Sequence, residues 1–533
     1  MNDWTAGYVA DIGYTFGYYP ELNPVRLGLA FANAGLVCPE VGTACELGFG
    51  QGLSVNLHAA ATTGEWHGTD FNPTHAAFAT DMAAAAGNHA ALYDQSFEEF
   101  CTRSDLPDFD YIGLHGIWSW ISDANRAVIV DFVRRKLKLG GVLYVSYNAL
   151  PGWAAFAPMR HLLAEHARLL GGEGRGAVAR VEGAIEFAER LIAAEPVFAT
   201  ANPAVKQRMT HLKTQNRQYL AHEYFNRDWR PMHFADVAES FKSAKLEFAC
   251  SANFIDHLDS LTMTRAQREL LASVADPILC QTVRDFIVNQ QFRKDYWVKG
   301  PRRLAAHEQL ERFRGQRVIL ATPRADVPAK ISGARGEATV HSRVCGPVLD
   351  LMADHVVRSV GEIEAALKGH RLGLNQLVQA VLLLAAHGHV APVQSEASVL
   401  AALPATQRIN AWLMARARYL GEVNYLASPL TGGAVGVGRF QQLFISMVQQ
   451  GLQTPEDCAG AVWDLLAEQG QRLVHEGKTL SSPEDNLAQL KEQAQAFMES
   501  IARAAGAPCG VIRQPFPLLL LPSHLALADA CGV

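Results

Sequence analysis

The stretch CELGFGQGLS, residues 45–54, sets three glycines at alternate positions, Gly48, Gly50 and Gly52, just after an acidic residue, Glu46. Alternating glycine suits neither helix nor strand. It suits a tight turn whose backbone runs close against a ligand. The short apolar run Ala44–Leu47 leads into the glycines, and Trp66–Phe71 reads as a second strand ending in Asp70. A carboxylate there is placed to accept both hydroxyls of a ribose. The two features together imply a nucleoside-containing ligand. The spacing narrows the choice. A dinucleotide fingerprint needs its third glycine three residues after the second, but here the pattern is GxGxG followed by Leu53, and no Gly-Lys-Thr or Gly-Lys-Ser of a triphosphate loop follows.

Such residues need a scaffold, and the first 150 positions supply one. Leu53–Ala61 reads as a helix of small residues. Asn72 and Pro73 form an N-cap and first turn for a helix that runs to Gly87. Ala91–Tyr93 and Phe109–His115 read as the third and fourth strands, Asn125–Leu139 as a helix closed by Gly140-Gly141, and Val142–Tyr147 as the fifth strand. Apolar strands separated by helices specify a parallel sheet covered on both faces. Ligands of such sheets bind beyond the carboxyl ends of the strands.

The chain has 533 residues, enough for three or four domains, with a formal charge of −6. That charge argues against nucleic-acid affinity, which needs clustered cations. The basic run Arg134-Arg135-Lys136 reads as a solvated last helical turn. Nine cysteines without any CxxC imply reduced thiols and no metal site. The opening residues lack a basic n-region and an apolar h-region, and the longest apolar runs, Ala380–Ala386 and Pro517–Pro522, are too short to span a bilayer. A cytoplasmic protein without membrane insertion is expected.

The pattern Glu46-x-Gly48-x-Gly50-x-Gly52 resembles motif I of the class I S-adenosylmethionine (SAM) methyltransferases. The resemblance implies SAM as cofactor. Glu46, Gly48 and Gly50 would line its methionine end, with Gln51 and Gly52 also binding the cofactor; Asp70 would hold the ribose with Phe71 beside the adenine, and Ser96 and Phe97 would frame the adenine. His115 and Gly116 would sit where the fourth strand opens towards the reacting methyl. Three longer stretches resemble one subfamily, methyltransferases with a methyltransferase regulatory domain that include bacterial protein-lysine methyltransferases. They are HGIWSW (115–120), YNALPGW (147–153) and HEYFNRDWRPMHFADVAE (222–239), the last continued by VRDFIVNQQFRKDYWVKG (283–300). Leu22-Asn23-Pro24 replaces that subfamily's Thr-His-Pro element, and motif I carries Phe49 and Gln51. The resemblance therefore implies the cofactor, while the acceptor stays open between a protein lysine, by resemblance, and a small molecule, sugar or peptide natural product. A SAM-binding interaction protein without catalysis is a third reading.

Methyl transfer from a sulfonium is an in-line displacement that needs alignment and exclusion of water. A lysine acceptor must also lose a proton. Tyr14, with Tyr18 and Tyr19, is expected to fold over the cofactor or to pack as ordinary aromatics. Trp118 and Trp120 would flank the acceptor or pack a helix start. His115 would take a proton or only hydrogen-bond, and Tyr147 and Asn148 would line the acceptor pocket.

The expected fold is α/β, a Rossmann-like class I methyltransferase sheet with a helical insertion and a mostly helical, winged-helix-like C-terminal region. Residues 1–153 would form the SAM-binding core and 154–229 a helical insertion that caps the site or makes a homodimer interface. Residues 230–300 would complete the sheet, 301–400 form a winged-helix-like module and 401–533 a helical region. Helices are read at Phe234–Ser243, Val360–Leu367, Leu374–His387, Ile409–Tyr419 and Glu484–Ala504, and strands at Leu246–Phe254 and Phe292–Val298. The loop Leu426–Gly433 would approach an acceptor or be a plain turn. Asn375–Ala386 carries no cation, so protein recognition or internal packing is expected of the module rather than nucleic-acid binding.

Overall fold

Glycine conformations build the turn on which the candidate site rests. Gly48, Gly50 and Gly52 all lie at positive φ, +73°, +57° and +72°, where side chains are disfavoured. The computed structural model describes residues 14–87, 90–172, 176–333, 336–339 and 343–504. Residues 8–13 of the aromatic N-terminal segment, and the run Pro517–Pro522, lie outside them. The turn follows β1 (Thr43–Leu47), an inner strand of a seven-stranded sheet with β2 (Glu65–Asp70), β3 (Ala91–Asp94), β4 (Phe109–Leu114), β5 (Leu137–Asn148), β6 (Leu246–Ser251) and β7 (Phe292–Lys299). The order is β3-β2-β1-β4-β5-β7-β6. β1 to β5 run parallel, and β7 is antiparallel to both neighbours. The sheet is thus the α/β arrangement expected from the strand–helix alternation.

Local chemistry accounts for most boundaries. Asn72 caps the helix Pro73–Ala86 by accepting from Thr74 N at 3.0 Å, and Gly87 ends it in the left-handed region at φ 60°. Ser96 and Glu99 form a reciprocal capping box on the helix Phe97–Cys101. One expectation is corrected. The helix expected over Asn125–Leu139 is Asp123–Lys136, and β5 already begins at Leu137, ahead of the two glycines. Leu137 is extended (φ −80°, ψ 126°) and pairs with Phe109, so burial in the sheet outweighs its helix propensity. Arg134 and Arg135 close the last turn of that helix, both paired with Asp131.

Gly52 is needed for packing. A Cβ built there would stand 2.3 Å from Ala79 Cβ on the helix Pro73–Ala86. Gly52→Ala is therefore expected to cost about 2–4 kcal/mol, the sum of left-handed strain and overpacking. Thermal denaturation of the purified variant checks this, and an unchanged melting temperature would remove the packing argument.

Between β5 and β6 lie the helices Leu150–Trp153, Ala157–Leu170, Ala177–Ala193, Val197–Ala201, Pro203–Thr214 and Arg217–Tyr224, which share a core built on Trp153, Phe156, Met159, Val181, Met209 and Tyr224. The helix Phe234–Lys242 packs Phe234 and Phe241 against Trp297 of β7. Beyond β7, Arg317–Leu320 lies between Arg358–Ser359 and Val390–Pro392 in a small antiparallel sheet, with the helices Val360–Ala366 and Leu374–Ala386 in the connections. The helix expected over Ile409–Tyr419 is the second half of Glu396–Ala417, with Pro404 inside it. The Leu426–Gly433 stretch is a hairpin turn between Tyr425–Ser428 and Gly433–Gly436. Its strands pack on the helix Leu53–Ala61, so the plain-turn alternative is the observed one.

This hairpin meets the N-terminal strap, residues 14–26. Asn23 Nδ2 donates to Thr431 O at 2.9 Å, and Tyr18 Oη lies 3.2 Å from His58 Nε2. The strap is also held by Glu21, whose carboxylate pairs with Lys294 at 2.6 Å and whose carbonyl accepts from Tyr296 Oη at 2.9 Å. No helix among the described residues is long and apolar enough to cross a membrane.

Candidate functional site

The carboxyl ends of β1 to β5 meet the strap and the inserted helices at two adjoining cavities. The first lies over the glycine turn and is lined by Glu46, Gly48, Gly50, Asp70, Phe71, Ser96, Phe97, His115 and Gly116, all expected there, and by Tyr14. Phe49, Ile117, Ile121 and Asp228 line it too, and the sequence reading missed them. Ile117 and Ile121 lie in the turn that leaves β4, two and six residues past His115. Asp228 arrives from the far side of the insertion, and nothing in its neighbours announces it.

Two expected residues do not reach this cavity. The Gln51 amide turns to donate to Tyr14 O at 3.2 Å, and Gly52 is turned against Ala79. Gln51 therefore acts on the strap and Gly52 on packing.

The polar wall is organised by Asp70. Its Oδ2 accepts from Gly50 N at 2.9 Å, and its Oδ1 accepts from Asn72 N at 3.0 Å, with His75 Nδ1 at 3.3 Å. A carboxylate has about four lone-pair sites, so capacity for a ligand hydroxyl remains. Glu46 is 4% exposed, and its Oε2 has no hydrogen-bond partner among the described residues. Burial, reinforced by the Asp70 charge, pushes its carboxyl up to about 8. A buried orphan oxygen in a cavity wall calls for a donor or a cation from a ligand.

The second cavity, of about 750 Å³, lies between the strand ends and the inserted helices. It shares Tyr14, Tyr19, His115, Gly116 and Trp120 with the first. Asn148 lines it as expected. Tyr19 stacks on His115 with ring centres 3.8 Å apart, and His115 Nδ1 lies 2.7 Å from Tyr144 Oη. Burial draws the His115 imidazole down to about 3, so it stays neutral near pH 7. Of the two roles expected for His115, its contact with Tyr144 Oη is the hydrogen-bonding one.

Two further expectations are corrected. Trp118 is 0% exposed and its ring lies 5.0 Å from Phe241, inside the core. Tyr147 is likewise 0% exposed, and its hydroxyl donates to Asp295 Oδ2 at 2.9 Å beneath the sheet end. Alternation along a strand explains the second: Asn148 faces the cavity, so Tyr147 faces away. Trp120, two residues beyond Trp118, is the tryptophan that lines both cavities.

A model of the family described as predicted methyltransferase regulatory domain matches residues 216–299. The uncharacterized protein sll1526 of Synechocystis sp. is 36% identical over 499 residues, covering 93% of this chain and 97% of its own length. The uncharacterized protein RP789 of Rickettsia prowazekii is 26% identical over 290 residues, 53% of this chain and 51% of that protein. Among solved structures, PKMT2 from Rickettsia typhi in complex with AdoHcy superposes with a TM-score of 0.65 at 15% identity, over 92% of this chain and 98% of that one.

Proposed function

This chain belongs to the class I SAM-dependent methyltransferases that carry a methyltransferase regulatory domain, and from that premise we propose that it methylates the side-chain nitrogen of lysine in a protein acceptor. The observation that carries the reading is the junction of the two cavities, where a cofactor site opens on a separate chamber through Tyr14, Tyr19, His115, Gly116 and Trp120.

The residues of the first cavity fit SAM. Glu46, with its orphan oxygen, suits the ammonium of the methionine end. Asp70 has lone pairs left for ribose hydroxyls. Phe71, Phe97, Ile117 and Ile121 offer apolar faces to an adenine. When bound, SAM supplies an activated methyl group. The chain's own part is alignment and exclusion of water. Tyr14 and Tyr19 on the strap close the cofactor side and leave the chamber as the approach for an acceptor. His115 stays neutral and adds no second positive charge beside a cationic cofactor. Aromatic walls also favour a partly methylated ammonium.

The chamber falls in the size range of sites for whole small ligands. That favours, as a second reading, a free peptide or small-molecule acceptor. Incubation with methyl-labelled SAM and a lysate of the source cell separates the two. Label on a protein band, mapped to lysine by mass spectrometry, is expected. Label confined to the small-molecule fraction would transfer the activity to the second reading, and SAM binding with no label anywhere would make the protein a non-catalytic SAM binder.

Asp70→Ala removes the acceptor for the ribose and releases Gly50 N. Affinity for S-adenosylhomocysteine (AdoHcy), measured by calorimetry, is expected to fall by about 1.5–3 kcal/mol. Wild-type affinity in the variant would take Asp70 out of the site.

A further inference from the structure

The family match at residues 216–299 carries a description that speaks of regulation, yet these residues build part of the chamber wall. Tyr219, Glu223 and Tyr224 enter it from the helix Arg217–Tyr224, and Asn289, Gln291 and Phe292 from the approach to β7. Glu223 is the single carboxylate among the described lining residues. Among the described residues its carboxylate accepts no hydrogen bond and forms no ion pair within 4 Å, although Trp120 Nε1 approaches its backbone oxygen at 3.5 Å.

The nearby cations are engaged elsewhere. Arg208 lies 3.8 Å over the Trp153 ring and donates to Tyr224 Oη at 3.3 Å. Arg160 donates to Asn226 O at 2.5 Å and lies 4.8 Å over Trp229. Asn148, 2% exposed, adds a side-chain amide without a hydrogen-bond partner at Nδ2. The chamber therefore presents an unpaired carboxylate and an unpaired amide among aromatic rings, Tyr14, Tyr19, Trp120 and Trp153.

We infer that Glu223 is the residue that receives the ammonium group of a primary-amine acceptor in this chamber and takes up its proton. The inference rests on the methyltransferase reading of the adjoining cavity. The exchange is balanced: the carboxylate and the ammonium become a carboxylic acid and a neutral amine, whose lone pair is then free to act as nucleophile. Asn148 steadies the amine. Burial lifts the Glu223 carboxyl to about 7, while Arg208 and Arg160 pull it down, and the phenols of Tyr219, Tyr224 and Tyr19 and the imidazoles of His115, His211 and His222 line the same chamber. Such a group is about half ionised at neutral pH and still basic, as proton transfer requires. The segment named for regulation is on this account part of the acceptor site.

The test uses the full chain saturated with AdoHcy and n-butylammonium as a stand-in for a lysine side chain, with binding read by calorimetry at pH 6 and pH 8. Wild-type affinity is expected to rise about tenfold between the two, following ionisation of a group near pH 7. Glu223→Gln should bind butylammonium at least about tenfold more weakly at pH 8 and lose the pH dependence, while keeping wild-type AdoHcy affinity as proof of folding. Equal butylammonium binding by the variant would overturn the inference. So would a wild type that binds AdoHcy and not butylammonium. A wild type that fails to bind AdoHcy would instead overturn the proposed function.

Discussion

Arg293→Met is expected to destabilise the protein by about 3–5 kcal/mol, read by denaturant unfolding. Arg293 lies on β7 at 5% exposure and donates through Nε to Asp295 Oδ2 at 2.8 Å, through Nη1 to Asp285 Oδ1 at 2.5 Å and through Nη2 to Gln281 Oε1 at 3.1 Å. Its guanidinium also lies 4.4 Å over the Phe234 ring. Both partner carboxylates are almost fully buried, and burial lifts Asp285 to about 6 even beside the guanidinium. Removing the cation strands two buried acids, which must then protonate or admit water. Neutralising the acids as well, in Arg293→Met/Asp285→Asn/Asp295→Asn, should restore most of the loss, because the penalty is the uncompensated charge. A loss under about 1 kcal/mol in the single variant would refute this account. The cluster also bears on the site. Asp295 holds Tyr147, and in the β5–β7 register Tyr147 pairs with Arg293 and Asn148 with Phe292. Loosening the cluster should therefore weaken butylammonium binding in the chamber before it weakens AdoHcy binding.

Glu46 gives the second large effect. Its carboxyl is neutral in the folded, ligand-free protein until about pH 8, whereas in the unfolded chain it ionises near 4.5. Between those values only the unfolded state gains from ionisation. The stability contributed by the neutral form is complete below about pH 4.5 and is lost as pH rises towards 8, at about 1.4 kcal/mol per unit from this group. Glu46→Gln should flatten the curve in that window, and the difference between wild type and variant isolates Glu46 from other titrations. Superimposable curves would show that the carboxyl is solvated. In the proposed function the same proton is displaced when a cationic cofactor arrives. SAM binding near pH 7 should then release close to one proton more in the wild type than in Glu46→Gln, measured by calorimetry in buffers of different ionisation enthalpy.

Much of the sheet was legible, because its signals are local. The glycines, Asp70 as a strand end, Asn72-Pro73 and Gly87 each act through nearby backbone. The start of β5 was misread because Leu137 answers to Phe109, a partner set by the sheet and not by its neighbours in the chain. The site divides in the same way. Glu46, Gly50, Asp70 and Gly116 occupy the ends of parallel strands, where topology alone delivers them. Trp118 and Trp120 have the same type and nearly the same position, yet only packing against Phe241 decides that the first is core. Glu223 and Asp228 come from the end of the helical insertion, so no spacing along the chain could bring them to the strand ends. Gln51 was placed by its motif and not by its amide, which had an acceptor on the strap.

The bond from Asn23 to Thr431 spans 408 positions. During synthesis the ribosome takes about 20–80 s to cover that distance at about 5–20 residues per second. For that interval the emerged strap lacks its bond to the hairpin, while its ties to Gln51, Ser54, His115 and Lys294 involve residues made earlier. Every strand of the sheet, and every described residue lining the two cavities, precedes Thr431 in the chain. The hairpin thus acts as a late fastening on the strap: a growing polypeptide can hold a folded sheet and a lined cavity while the strap still lacks its last bond, from Asn23 to Thr431.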